Sequence, residues 1–114
     1  MEQERARGLL DRERRRIEGA LAELRQPSGT DELTNQDQHL ADQASDLQER
    51  ELEEGLAEQL EDELAALERA EARLAAGTYG LSIESGEPIP DERLEANPLA
   101  ERTVEEERRF ERGG

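Results

Sequence analysis

The stretch LADQASDLQERELEEGLAEQLEDELAALERAEARLAA, residues 40–76, decides the fold of this chain. It is rich in strong helix formers, its apolar residues recur with a helical period, and no proline interrupts it. The pattern predicts one helix of roughly 36 residues, which extends about 54 Å. Gly77 is expected to end this helix, because glycine readily adopts the left-handed conformation found just beyond a helix C-terminus. The apolar series consists of Leu40, Ala44, Leu47, Leu52, Leu56, Leu60, Leu64, Leu67 and Leu74.

Another helix is predicted upstream, over residues 2–26. Leu10, Ile17 and Leu24 recur there every seven residues, which makes a narrow apolar stripe of the kind found where two helices pack together. Pro27 and the Ser-Gly pair that follows it end this helix, because proline lacks the N–H group that would continue the hydrogen-bond ladder. The connection to the next helix is polar.

Together the two helices predict a mainly α fold, a long antiparallel two-helix coiled-coil hairpin over residues 1–76. Its helices are expected at about 2–26 and 40–76, and its tip at 27–39. If the chain folds back symmetrically across this tip, residues whose numbers sum to about 66 face each other. That register leaves the end of the longer helix without a partner from the first helix.

The C-terminal part, residues 77–114, is predicted to cover this end of the hairpin. Turn formers and short alternating apolar residues at 78–90 indicate a small β-hairpin or an irregular knuckle. A single helical turn is expected at 91–96, and a charged terminal helix at 99–112. The apolar residues available to pack on Leu64, Leu67 and Leu74 are Tyr79, Leu81, Ile83, Ile89, Leu94, Leu99, Val104 and Phe110.

The composition limits the possible functions. The chain has 31 acidic and 15 basic residues, a formal net charge of -16, which opposes binding to phosphate groups and argues against free nucleic acid as a ligand. Hydrophobic residues make up 32%, against roughly 45–50% in an average globular domain, so the apolar core must be thin. Such a composition borders on that of disordered chains, and the helical periodicity favours an ordered fold.

Catalysis, secretion and membrane insertion find no support in the sequence. Nucleophile motifs and phosphate-binding glycine loops are absent, and acids are too abundant for any pair to stand out, so we expect a protein that is not an enzyme. There is no cysteine, which excludes disulfides and thiolate metal sites. The chain lacks a secretion signal and any apolar run of membrane length, so a cytoplasmic location is expected.

Two motifs in the C-terminal part carry a family resemblance. The segment from Gly77 reads GTYGLSIESGEPIP, and the segment from Arg93 reads RLEANPLAERTVEE. They resemble the zinc finger of the DksA/TraR family of bacterial transcription factors. The family pattern has a Tyr-Gly-x-Cys-x-x-Cys-Gly knuckle, an Ile-Pro, an Arg-Leu-Glu-Ala-x-Pro-x-Ala run and a second Cys-x-x-Cys.

The resemblance places the four zinc-ligand positions of the family on Ser82, Ser85, Thr103 and Glu106. Structural zinc is held by thiolate sulfur or imidazole nitrogen in a tetrahedral cage, and two serines, a threonine and a glutamate do not supply that set. We therefore expect a degenerate zinc finger, a metal-free knuckle without cofactors that is held by hydroxyl and backbone hydrogen bonds.

The resemblance continues upstream into the predicted tip, where Asp42 and Ala44 match an Asp-x-Ala element of the family. An acid that some members carry three residues earlier is replaced here by His39, and Asp37 and Asp46 supply further charge nearby. The resemblance implies that this acidic tip binds RNA polymerase through its secondary channel. From the residues alone, Asp42 is also a helix-capping acid, and the two roles are compatible.

The expected function is thus that of a monomeric transcription regulator that resembles DksA/TraR proteins and binds neither nucleic acid nor membranes. One alternative is a structural or adaptor coiled-coil protein, in which the apolar stripes dimerise instead of folding back within one molecule. Another alternative is a degenerate paralogue that has lost its activity on polymerase.

Overall fold

The computed structural model describes residues 1–25 and 43–113 of the chain. Within them lie four helices: α1, Gln3–Arg25; α2, Gln43–Ala76; α3, Asp91–Ala96; and α4, Val104–Gly113. The only β pairing in this described part is an isolated antiparallel bridge between Leu81 and Pro88. The prediction of a mainly α protein is confirmed, while the proposed division into domains at residue 76 stays a prediction.

The helices α1 and α2 pack side by side and run in opposite directions. Arg14 of α1 lies against Glu71 of α2, whereas Arg25, at the other end of α1, lies against Glu61. Residue numbers therefore rise along one helix as they fall along the other. This is the predicted antiparallel hairpin.

A continuous apolar seam joins the two helices. Leu10 and Ile17 of α1 are fully buried, and so are Leu67 and Ala70 of α2. Burial of a large aliphatic side chain stabilises a fold by about 1.5–3 kcal/mol, so these few residues supply most of the hairpin's apolar stabilisation. The partly buried residues packed against this cluster are Leu60, Leu64, Leu74, Tyr79 and Leu99.

The register of the hairpin differs from the symmetric one. Leu10 lies beside Leu74 and Glu71 instead of Leu56, so facing residues have numbers that sum to about 84. The first helix thus covers the part of α2 that the symmetric register leaves open. The physical reason is that the closely spaced apolar residues of α2 lie between Leu60 and Leu74, and only this register buries them against the stripe of α1.

Ion pairs flank the seam and fit this register. Arg14 donates two hydrogen bonds to the Glu71 carboxylate, from Nε at 3.0 Å and from Nη2 at 2.6 Å. Arg16 donates from Nη2 to Glu63 at 2.6 Å. A bidentate contact between arginine and a carboxylate also fixes geometry, so Arg14 and Glu71 hold the two helices at one relative height.

The N-terminal part of α2 lies beyond the last described turn of α1. Arg25 and Leu24 line a shallow groove with Arg50, Glu54 and Ala57, so residues 43–49 continue past that level. Leu52 is 66% exposed beside the groove, and Leu47, beyond it, is 60% exposed. Residues 49–63 contain eight acids and one arginine, which makes this end of α2 a strongly acidic rod.

Gly77 ends α2 and leads into the C-terminal part. Its φ angle is +80°, its N–H donates to Leu74 O at 3.1 Å, and the N–H of Thr78 donates to Arg73 O at 2.8 Å. This pair of hydrogen bonds is a Schellman motif, in which glycine adopts the left-handed conformation without steric cost. The predicted stop at Gly77 is therefore where the helix ends.

The C-terminal part covers only the base of the hairpin, and it does so less completely than expected. Tyr79 and Leu99 pack on the hairpin seam, while Ile89, Leu94 and Ala100 form a small cluster of their own. Four other residues expected to pack inward are 37–53% exposed, namely Leu81, Ile83, Val104 and Phe110.

Candidate functional site: the knuckle and the acidic end of the hairpin

The knuckle is a tight turn between Gly80 and Ile89. The Ser82 N–H donates to Glu87 O at 2.8 Å, and the Ile89 N–H donates to Gly80 O at 2.7 Å. Gly86 closes the turn with a φ angle of +77°, a conformation that strains residues with a Cβ atom. These backbone bonds bring Ser82 and Ser85 to the same side, opposite the start of α4.

The structure brings Ser82, Thr103 and Glu106 into direct contact. The Ser82 hydroxyl donates to Glu106 Oε1 at 2.6 Å, and the Thr103 N–H donates to the same oxygen at 2.9 Å. The Ser82 Oγ in turn accepts from the N–H groups of Glu84 and Ser85, at 3.1 and 3.2 Å. Ser82 and Glu106 are both buried, so these bonds join the two halves of the knuckle away from solvent.

Hydrogen bonds keep the Glu106 carboxylate ionised. The Ser82 hydroxyl, then the Thr103 N–H and the Ser85 hydroxyl, lower the pKa of Glu106 from 4.5 to about 2, against a smaller opposing effect of burial. Hydrogen bonds donated to a carboxylate favour its charged form. Glu106 is thus an anionic acceptor at the centre of the knuckle.

Thr103 and Glu106 also form a capping box at the start of α4. The Glu106 N–H donates to Thr103 Oγ1 at 3.2 Å, while the Glu106 carboxylate accepts from the Thr103 N–H. The terminal helix therefore begins at Val104 and not at Leu99. The sequence signal was present, since Thr-x-x-Glu is the pattern of a capping box.

Tyr79 anchors the knuckle to the hairpin. Its hydroxyl donates to Pro98 O at 2.8 Å, and its ring packs on the hairpin seam. Burial raises the pKa of Tyr79 to about 12, with a smaller opposing effect from the charge of Arg73. The hydroxyl therefore stays protonated at neutral pH and remains a hydrogen-bond donor.

Only two of the five residues predicted at the tip lie in the described part of the chain. Asp42, His39 and Asp37 lie outside the described residues, while Ala44 and Asp46 belong to the first turn of α2. The role of these five residues in contacting a partner stays a prediction.

Within residues 1–25 and 43–113, no three His, Cys, Asp or Glu side chains are grouped as a metal site would require. Over the same residues, no helix combines the length and the apolar character needed to cross a lipid bilayer.

Several known proteins are similar to this chain in sequence. Residues 77–112 match a family model described as the prokaryotic dksA/traR C4-type zinc finger. The RNA polymerase-binding transcription factor DksA of Caulobacter vibrioides is 40% identical over 73 residues, which are 64% of this chain and 51% of the relative. The uncharacterized protein YteA of Bacillus subtilis is 42% identical over 69 residues, which are 60% of this chain and 29% of the relative.

A solved structure matches nearly the whole chain. The transcription factor DksA2 from Pseudomonas aeruginosa superposes with a TM-score of 0.67 at 36% identity, over 96% of this chain and 83% of that one. The fold and the knuckle define a class of proteins in which a helical hairpin stands on a zinc-finger-like base. Within that class, the chain belongs to the DksA/TraR family. It spans about half the length of its DksA relative from Caulobacter and less of YteA.

The match corrects the expectation that no cofactor belongs to this part of the chain. The family model that covers residues 77–112 is described as a C4-type zinc finger, and that description points to zinc binding, so the prediction of a protein without family zinc is contradicted. The family model matches because the chain keeps the framework of the finger, such as the Tyr79-Gly80 and Ile89-Pro90 pairs, whereas the prediction followed from the four ligand positions.

The side chains at the four ligand positions do not fit the metal site for which the family is named. A C4 site consists of four cysteine thiolates, and this chain has no cysteine. Ser82, Ser85 and Thr103 offer hydroxyl groups, which are bound to Glu106 and to the backbone of the knuckle. No step of the function is therefore assigned to a metal.

Proposed function

We propose that this protein is a transcription regulator that binds RNA polymerase, inserting the acidic end of its hairpin into the secondary channel. The proposed contacts are the tip residues Asp42 and Ala44, with His39, Asp37 and Asp46 beside them. The knuckle stays at the rim of the channel and holds the hairpin upright. The protein acts as a monomer in the cytoplasm, without catalysis of its own and without direct binding to nucleic acid or membranes.

The observation that carries this proposal is the likeness to a transcription factor over the whole hairpin and knuckle. DksA2 matches 96% of the chain at 36% identity, so the likeness includes both the base and the projecting helix. The relative from Caulobacter is named as an RNA polymerase-binding transcription factor. A shared architecture at this identity supports a shared mode of binding.

The charge distribution supports a protein partner. Residues 49–63 carry eight acids and one arginine, and most of these acids are exposed. A field of this sign repels nucleic-acid phosphates and attracts a basic protein surface. The hairpin therefore suits a positively charged channel wall better than a nucleic-acid groove.

The proposal is tested with purified RNA polymerase from the organism that makes this protein. The parent chain and Asp42→Asn are compared in a binding assay and in transcription from a responsive promoter. We expect both to bind with similar affinity, because most of the contact surface is unchanged. Only the parent is expected to change transcript yield, because the variant lacks the tip charge.

Asp62→Asn is the matched control, since Asp62 is an exposed acid in the interior of α2. It removes the same charge from the same kind of residue and should leave both binding and transcription unchanged. If the parent chain fails to bind polymerase, the proposed function is wrong. If Asp62→Asn acts like Asp42→Asn, overall charge and not the tip carries the effect.

A further inference from the structure

The C-terminal part is attached to the hairpin on two flanks. On the α1 side, Arg5 pairs with Asp91 and Glu95 of α3. On the α2 side, Arg69 and Arg73 pair with Glu101. Within the described residues, these are the ion pairs that connect α2 to the C-terminal part. The apolar contacts of Tyr79 and Leu99 lie on the hairpin seam.

Glu101 accepts hydrogen bonds from two successive turns of α2. Arg69 donates from Nε at 3.1 Å and from Nη2 at 3.3 Å, and Arg73 donates from Nη1 at 3.0 Å. Arg73 and Glu101 are largely buried, with side chains 15% and 17% exposed. The contact is therefore shielded from solvent more than an ordinary surface ion pair, and it holds a defined geometry.

Arg73 depends on Glu101 for its charge balance. Its Nη2 atom is buried and finds no hydrogen-bond partner among the described residues. Among the described residues, Glu101 is the carboxylate that pairs with this guanidinium. Removing the carboxylate would leave a largely buried positive charge uncompensated, and such a group favours any movement that exposes it to water.

Glu101 also touches the knuckle through its backbone. The Ile83 N–H donates to Glu101 O at 2.9 Å, which fixes the turn of the knuckle to the same residue that grips α2. The Arg93 Nε donates to the next carbonyl, Arg102 O, at 2.8 Å. One short segment thus joins α2, α3 and the knuckle.

The covalent link on this side is short, and its turn is held by two backbone hydrogen bonds. Gly77, with its φ angle of +80°, is the single residue between the end of α2 and the knuckle segment that starts at Thr78. Residues that absorb a change of backbone angle at the end of an element are the usual positions of hinges. Without Glu101, the α2 flank would be held by this link, by the backbone hydrogen bonds of Gly77 and Thr78 to the last turn of α2, and by apolar contacts.

We propose that Glu101 is a positioning residue that sets the angle between the hairpin and the knuckle, acting through Arg69 and Arg73. This inference does not depend on the partner that the hairpin binds. Glu101 thus controls the angle between the hairpin and the knuckle, and this role is separate from its contribution to stability.

The test measures a distance between the two parts in the full chain. Since the chain has no cysteine, Ala22→Cys on α1 and Glu87→Cys on the knuckle give two unique spin-label sites, and both residues are exposed. Pulsed electron paramagnetic resonance then reports the distribution of distances. With Glu101 intact, we expect one narrow peak.

Glu101→Gln should shift or broaden this peak by about 5 Å, because the knuckle gains freedom to rotate about Gly77. Glu71→Gln is the matched control, as it breaks a bidentate arginine contact within the hairpin and leaves the knuckle attachment intact. It should lower stability without changing the distance. Arg69→Gln combined with Glu101→Gln should add no further broadening, because the two residues act through one contact.

Two results would overturn the inference. One is an unchanged distance distribution in Glu101→Gln while its circular dichroism shows a folded helix. The other is equal broadening in Glu101→Gln and Glu71→Gln, which would make the effect one of general loosening. If Glu101→Gln does not fold, the milder Arg69→Gln, at a side chain 56% exposed, must itself shift or broaden the peak.

Discussion

Glu106 has two structural roles that meet in one carboxylate. It completes the capping box of α4 with Thr103, and it accepts the buried hydroxyl of Ser82 across the knuckle. The first role starts a helix, and the second attaches that helix to the turn at residues 80–89. The Glu106 side chain thus both caps α4 and holds this helix against the turn of the knuckle.

Replacement of Thr103 tests the first role. Thr103→Ala removes the hydroxyl that accepts from the Glu106 N–H and should lower the free energy of unfolding by about 1 kcal/mol. Thr103→Ser keeps the hydroxyl and should remain close to the parent. Urea unfolding followed by circular dichroism measures both, and equal losses in the two variants would contradict the capping role.

The ionisation of Glu106 makes a pH-dependent contribution to stability. Its pKa is lower in the folded protein, about 2, than the ordinary 4.5, so its contribution is present above pH 4.5 and is lost as the pH falls toward 2. Glu106→Gln should unfold with a weaker dependence on pH across this window. Glu105→Gln, at an exposed neighbour, should keep the parent's dependence when unfolding is measured at several acidic pH values.

At the scale of elements, the hairpin depends on a short seam. Leu67 is fully buried between the helices, whereas Leu52 on the same helix is 66% exposed. The acidic end of α2 contributes little apolar burial, and the base of the hairpin contributes most of it. The base of α2 thus supplies most of the stability of the hairpin, while the acidic end supplies its length.

We therefore expect replacement of leucine by alanine to have a large effect on stability at Leu67 and a small one at Leu52. Leu67→Ala should lower the free energy of unfolding by about 2–5 kcal/mol, because it removes buried contacts and leaves a cavity. Leu52→Ala should change it by less than about 0.5 kcal/mol, as is usual at exposed sites. Denaturant titrations of both variants measure the difference, and similar losses would mean that Leu52 is buried in solution.

The existence of both long helices was predictable from their periodicity, but their register was not. The leucine pattern and Pro27 indicated two helices, while the symmetric alignment placed Leu10 near Leu56. The contact of Leu10 with Leu74 follows from the position of the densest apolar segment and from the pairing of Arg14 with Glu71. Such long-range pairings leave no mark on local sequence.

For the knuckle, local signals account for the turns and for the start of α4, but not for the contact between its two halves. The turn at Gly86 and the helical turn at 91–96 follow from glycine and proline positions, and the Thr-x-x-Glu pattern at 103–106 fixes the start of α4. The contact between Ser82 and Glu106 joins residues 24 positions apart. It was suggested only by the family's ligand spacing, not by the chemistry of the residues themselves.

At the scale of the whole molecule, the apolar stripes of both helices are used within one chain at the base of the hairpin. Ile17 and Leu67 are fully buried by intramolecular packing, so they are not available to a second copy. A structural coiled coil that dimerises through these stripes would require the hairpin to open. The net charge of -16 further opposes self-association through mutual repulsion.

The protein is therefore expected to be a monomer in solution. Light scattering coupled to size exclusion should give a mass of 12.9 kDa that does not change with concentration. A doubled mass that grows with loading would support the adaptor coiled coil instead. Repeating the measurement at high salt removes charge repulsion, and the mass should stay the same.

The unbroken course of α2, from Gln43 to Ala76, has a mechanical consequence. A rigid helix of 34 residues is a lever about 51 Å long whose fulcrum is Gly77. A tilt of about 5° at the fulcrum would swing the opposite end by about 4 Å, which exceeds the reach of a hydrogen bond. Small adjustments at the base of this molecule are thus magnified into gain or loss of contact at its far end.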